Sequence, residues 1–98
     1  MHKMKAYEVL EQNDWCQNVW ARNANGEVVE AKSDDACRFC AGGAIVRAYL
    51  CDEAKYLESF RKVFQHTLDN FGIDIFAWND SSERTKEEVV SLLKELNI

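Results

Sequence analysis

Two thiols three positions apart, Cys37 and Cys40, are the residues of this 98-residue sequence whose types and spacing come nearest to chemistry. A Cys-x-x-Cys pair can share one metal ion between two thiolates, and the Ala41-Gly42-Gly43 behind it resembles the glycine that follows a zinc knuckle. A tetrahedral site needs two more ligands. Cys16 and Cys51 would have to supply them, and neither they nor the scattered His2 and His66 repeat the short spacing of a four-ligand set. Redox chemistry at the same pair asks for a buried strand leading into a helix whose N-terminus lowers the first thiol's pKa. No run of Val and Ile precedes Asp34. Both readings yield to a plainer one, four reduced cysteines packed among their neighbours, with no metal and no cofactor expected.

His66 falls on the polar side of a helical stretch with Lys62 and Asn70, far in sequence from any acid and cysteine that would complete a triad. It reads as a surface histidine, and no catalytic residue is assigned. Binding groups are easier to name. Trp78-Asn79-Asp80 sets an aromatic body beside two hydrogen-bonding side chains, which suits a recognition edge. The same Asn and Asp suit an internal role as well, fastening a tight turn by bonding its backbone. Trp15 and Trp20 pose the same alternative on one hairpin, as covers for the core or as interaction anchors. The candidate binding residues are therefore Trp78, Asn79, Asp80, Trp15 and Trp20. Arg47, if buried, needs a carboxylate, and Asp80 or Asp74 is expected to supply it.

These side chains must be held by one domain, residues 1–98, because a chain of this length rarely divides into two stable cores. With 47% hydrophobic residues it can build that core without disulfides or metal. The net charge of −5 gathers in the second half, and the longest basic run is Arg61-Lys62, too little for a nucleic-acid surface. No segment has the apolar length of a membrane span, and Met1 to Glu8 has no apolar signal core, so a cytoplasmic protein is expected, with no membrane partner.

Periodicity supplies the scaffold. Met4, Tyr7 and Leu10 give a short helix ending near Asn13. Trp15 to Arg22 and Glu27 to Ala31 flank Asn25-Gly26, a strong hairpin signal. Ser33, Asp34 and Asp35 place capping oxygens before a central helix from Ala36 to Leu50, apolar on most sides. Gly42-Gly43 in its middle costs about 1 kcal/mol per glycine, which a backbone crossing close by, or a kink, would offset. A break is expected near Asp52. The next helix turns Leu57, Phe60, Phe64, Thr67, Leu68 and Phe71 inward, with Tyr56 and Val63 widening that face, and closes at Gly72. Ile73 to Trp78 reads as an extended or loop segment, and Thr85 with Glu88 forms a capping box opening a last helix that buries Val89, Leu92, Leu93 and Leu96. The fold class expected is α+β, a compact, mainly helical domain of about four helices with one small β-hairpin.

Taken in order, Trp15-Cys-Gln-Asn, Ala24-Asn-Gly-Glu-Val, Cys40-Ala-Gly-Gly-Ala-Ile, Trp78-Asn-Asp and Thr85-Lys-Glu-Glu-Val resemble a family of small uncharacterised proteins from bacteria and their phages, filed as a domain of unknown function. The likeness runs from Tyr7 to Leu93. That family usually has tryptophan beside cysteine where this chain has Phe39-Cys40, and Cys37 lies outside its pattern, which tells against a shared zinc site. The resemblance implies a fold and a phage or mobile-element setting, and brings no established activity.

The function expected is a non-enzymatic protein-binding or regulatory module, directed at a host protein, with the acidic second half and the Trp78 turn as contact surface. The alternative is a small-molecule or nucleotide-ligand binder, with its pocket between the hairpin and the Trp78-Asn79-Asp80 turn. The sequence leaves the oligomeric state open.

Overall fold

A computed structural model describes residues 4–98; His2, weighed above as a ligand, lies outside them. Among the described residues the chain forms five helices and four short strands, so the α+β class holds with one helix and two strands more than the periodicity announces. The first helix, α1 (Ala6–Gln12), buries Ala6, Val9 and Leu10 at helical spacing. It ends as expected at Asn13, whose Nδ2 donates to the Val9 carbonyl at 2.9 Å and so satisfies one of its orphan acceptors.

Strands β1 (Asp14–Trp15), β2 (Ala21–Arg22), β3 (Val28–Val29) and β4 (Arg38–Phe39) form a sheet in the order β1-β4-β2-β3. The hairpin is β2 against β3, with Ala21 opposite Val29. Gly26 occupies the left-handed region at φ 84 after a turn closed by Gly26 N–H to Asn23 O at 3.0 Å, whereas a two-residue Asn-Gly turn would put Asn25 at positive φ as well. β4 inserts between β1, to which it is parallel, and β2, to which it is antiparallel.

β4 corrects the expected start of the central helix. Helix α2 (Ala41–Ala48) begins five residues after Ala36, and its N-cap is Cys40, whose Sγ accepts from the Gly43 N–H at 3.2 Å. Ser33, Asp34 and Asp35 cap nothing; they lie in turns closed by Ser33 N–H to Glu30 O and Ala36 N–H to Ser33 O. The buried character read for the segment holds where it is helical, since Ala41 through Ile45 are all buried. So does the close crossing at the glycines. A Cβ on Gly43 would fall on the Trp20 carbonyl, and one on Gly42 would stand 2.6 Å from the Phe76 ring.

The chain breaks at Asp52, whose carboxylate caps α3 (Glu53–Phe71) by accepting from Lys55 N–H at 3.1 Å, and Gly72 closes that helix at φ 73. Its buried line joins Ser59 to the expected Val63 and Thr67, whereas the expected Leu57, Leu68 and Phe71 are exposed, so the inward face is rotated toward one side of the predicted arc. Ile73 to Trp78 is corrected too. Asp74 accepts from Ala77 N–H at 2.8 Å and caps a short helix, α4 (Ile75–Asn79). Thr85 and Glu88 form the reciprocal capping box of α5 (Lys86–Glu95), which buries Val89, Leu92 and Leu93 and leaves Leu96 half-buried. The core forms where α1 packs on α2 and α5 and where α3 packs on α2 and α4.

Candidate functional site

Asn79, at the end of α4, is the best-connected of the candidate residues. Its Oδ1 accepts from the Trp15 indole Nε1–H at 2.8 Å and from the Ala41 N–H at 2.9 Å, one of the amides that α2 leaves without an intrahelical partner. Its Nδ2 donates to the Cys16 carbonyl at 3.2 Å and to Asp80 Oδ1 at 3.0 Å. Both of its oxygen's partners are obligate donors, so the orientation of the amide is dictated by its surroundings. At 1% exposure, Asn79 is a satisfied buried node tying β1, α2 and the turn after α4.

Its neighbours share that structural role. Asp80, half-buried, also accepts from the Asn18 N–H at 2.8 Å, holding Asn18 at φ 72, while Gln17 Nε2 donates to the carbonyls of Asn79 and Ser81. Trp78 is 4% exposed, with the Arg84 guanidinium 3.9 Å from its ring centre and Phe71 stacked at 5.9 Å. The turn expected as a recognition edge therefore keeps Trp78 and Asn79 inside the domain. Trp15, half-buried, belongs to the same network and is brought to them; Trp20 is not. Arg47 meets neither Asp80 nor Asp74. Its Nη1 donates to the carbonyls of Ser33, at 2.6 Å, and Ala31, at 3.3 Å, because the loop before β4 lies over it.

Trp20, 44% exposed, is the candidate that faces solvent. One side of its ring meets Phe76 at 4.8 Å and Phe60 at 6.2 Å between centroids, and Phe60 and Phe64 continue the row along α3 at 6.0 Å. Leu57 and Leu68 flank this row at helical spacing, each about half exposed. Trp20 also walls an open groove of about 760 Å³, bordered by Val28, Val29, Glu30, Lys32 and Val46. The sequence points to Trp20 but turns Phe60 and Phe64 wholly inward, and for the groove the signal it offers is the Val28-Val29 pair on the return arm of the hairpin. Between the hairpin and the Asp80 turn, where a ligand binder would need its pocket, there is a recess of about 160 Å³. That is small beside the roughly 300–1,000 Å³ of ordinary ligand pockets.

The cysteines are arranged by the sheet. The parallel register of Trp15 against Phe39 continues to Cys16 beside Cys40, both buried, whereas Cys37 is half-buried and Cys51 exposed. All four are free thiols. Burial, reinforced by Cys40, pushes the Cys16 thiol up to about 12, and burial raises Cys40 against the opposing pull of the Gly43 and Gly42 amides. Among the described residues no three His, Cys, Asp or Glu side chains come together as metal ligands. No helix among them is long and apolar enough to cross a membrane. His66 is half-buried, its ring 6.3 Å from that of Phe71.

Comparison with known proteins finds one family model, described as a family of unknown function (DUF6197), matching residues 3–96. No curated protein and no solved structure matches.

Proposed function

Because this chain belongs to the DUF6197 family, whose description attaches no activity to its members, we propose a function from its surface: a non-enzymatic protein-binding or regulatory module with Trp20 at the centre of its contact face. The carrying observation is the exposure of Trp20 where the Phe60-Phe64-Phe76 row meets an apolar groove. Large apolar side chains left in water side by side are what a partner covers, and tryptophan is the residue type most often found as the anchor of such a contact. The net charge of −5 favours a partner with a basic surface. In keeping with the likeness to proteins of bacteria and their phages, the partner we propose is a host protein and the setting a phage or mobile element.

Affinity capture from the native host, run in parallel with the wild-type chain and with Trp20→Asp and Leu57→Lys, tests this. The expected result is a host protein held by the wild type and lost from both substituted chains, with circular dichroism showing both still folded. Capture of no host protein, or equal capture by all three chains, would overturn the reading.

A further inference from the structure

Strand β3 is paired on one side only, since the order β1-β4-β2-β3 leaves it at the edge of the sheet. Its register with β2 sets Ala21 against Val29 and Arg22 against Val28, and the Asn23 N–H donates to the Glu27 carbonyl at 2.9 Å. Bonded and non-bonded pairs alternate along an antiparallel ladder. With Asn23 and Glu27 bonded, Ala21 and Val29 form the next bonded pair, and the N–H and C=O of Val28 between them point away from β2. Among the described residues nothing pairs with those two groups. Protein edges are usually guarded by lysine, proline or a bulge, and here the exposed edge carries a 62% exposed valine. The groove beside Trp20 runs along the same edge, and two exposed carboxylates, Glu27 and Glu30, flank β3 against the one cation Lys32.

We propose that this edge accepts an extended segment of a partner protein as a fifth strand beside β3, its alternate apolar side chains seated along Trp20, Val29 and Val46 and the Lys or Arg side chains of its other face meeting Glu30, with Glu27 adding negative charge at the start of the edge. The inference rests on the protein-binding reading above and specifies its mode. An unpaired N–H and C=O on one edge residue call for a backbone whose own groups are free, which an extended strand has and a helix lacks. The period of two along such a strand turns every second side chain toward the groove. A second copy of this chain is the poorer occupant, because edge-to-edge pairing would bring Glu27 and Glu30 of one copy up to the same residues of the other.

The test is selection from a displayed library of random peptides of about twelve residues, run in parallel on the full chain and on Val28→Pro. Proline at 28 deletes an outward N–H that makes no bond to β2, so an edge strand tolerates it. A Glu27→Lys/Glu30→Lys chain serves as the second probe should the proline disturb the hairpin. The full chain is expected to enrich peptides that alternate apolar residues with Lys or Arg, Val28→Pro is not, and the double substitution is expected to reverse the charge preference. An enriched peptide should shift the backbone amide resonances of Val28 and Glu30, and N-methylation of its alternate amides should weaken it about tenfold or more. The proposal falls if the wild type enriches no peptide, or only those that Val28→Pro and Glu27→Lys/Glu30→Lys enrich equally, if the peptides bind as helices, or if N-methylation leaves affinity unchanged. It falls equally if the Val28 amide becomes protected with rising protein concentration in the absence of peptide, which would mark a second copy as the occupant. Loss of peptide binding together with Trp20-dependent capture of a host protein would remove the strand-addition mode and leave the protein-binding reading standing.

Discussion

The indole N–H of Trp15 and the side-chain oxygen of Asn79 lie 2.8 Å apart across 64 positions of sequence, and this bond joins the first strand to the end of α4. Asn79→Ala would strand the N–H groups of Trp15 and Ala41 and the carbonyl of Cys16 in a buried site. At about 1–3 kcal/mol for each buried unsatisfied group, with some relief from relaxation, the expected loss is on the order of 3–5 kcal/mol. Trp15→Phe removes one donor and leaves the Ala41 bond, so it should cost about 1–2 kcal/mol. Urea titrations with unchanged slope measure both. A loss under about 1 kcal/mol for Asn79→Ala would show that the node is not structural.

The two central glycines should respond differently to alanine. In Gly43→Ala the added methyl meets the Trp20 carbonyl, a backbone atom, whereas in Gly42→Ala it meets the Phe76 ring, a side chain able to rotate. Overpacking of this kind costs about 1–3 kcal/mol, more than the roughly 1 kcal/mol of helix propensity that alanine adds. Gly43→Ala is therefore expected to be clearly destabilising and Gly42→Ala closer to neutral, as read from thermal midpoints. The reverse order would mean that the Trp20 backbone gives way more easily than the ring.

What the sequence makes legible in this fold is what is local. The capping box of Thr85 and Glu88, the left-handed stop at Gly72 and the Asn25-Gly26 turn each complete their hydrogen bonds within a few residues, so their types alone identify them. β4 is not legible, because a strand of two residues shows no period and exists through pairing with β1 and β2. Cys40 as a helix cap is equally silent, since the usual capping signal is a side-chain oxygen. At the candidate site the residue types are right and the expected environments are not. Asn79 looks like a surface turn residue because all that buries it comes from segments 38 to 64 positions away.

Alkaline pH should weaken the fold through Cys16. Its thiol ordinarily ionises near 9.0, and burial raises that to about 12 in the folded chain. Below pH 9.0 both states keep the proton and the contribution is complete; above it the unfolded chain releases a proton that the folded chain holds, so stability falls until about pH 12. The slope for one such group is about 1.4 kcal/mol per pH unit. Cys40 acts in the same direction, and Tyr49, raised by burial from 10.0, adds to the fall at higher pH. Urea midpoints followed upward from about pH 8 should decline less steeply in Cys16→Ala than in the wild type. Parallel declines would show that the Cys16 thiol ionises alike in both states.

The rotation of α3 separates what its apolar residues do. Its sequence offers an apolar arc wider than the domain covers: the line Ser59, Val63 and Thr67 meets α2 and α4, with the Thr67 hydroxyl donating back to the Val63 carbonyl at 3.1 Å, while Leu57 and Leu68 at the arc's edge stay about half exposed. Val63→Ala deletes methyl groups from a fully buried position and is expected to cost about 1–3 kcal/mol. Leu68→Lys replaces a half-exposed side chain and should change stability by no more than about 0.5–1 kcal/mol, its aliphatic stem covering part of the same surface. If this edge of α3 belongs to the contact face, Leu68→Lys should also weaken capture of the proposed partner while Val63→Ala, at a temperature where it stays folded, should not. Equal binding by both chains would confine the contact face to the Trp20 groove, and a large stability loss for Leu68→Lys would restore the inward face that the periodicity alone predicts.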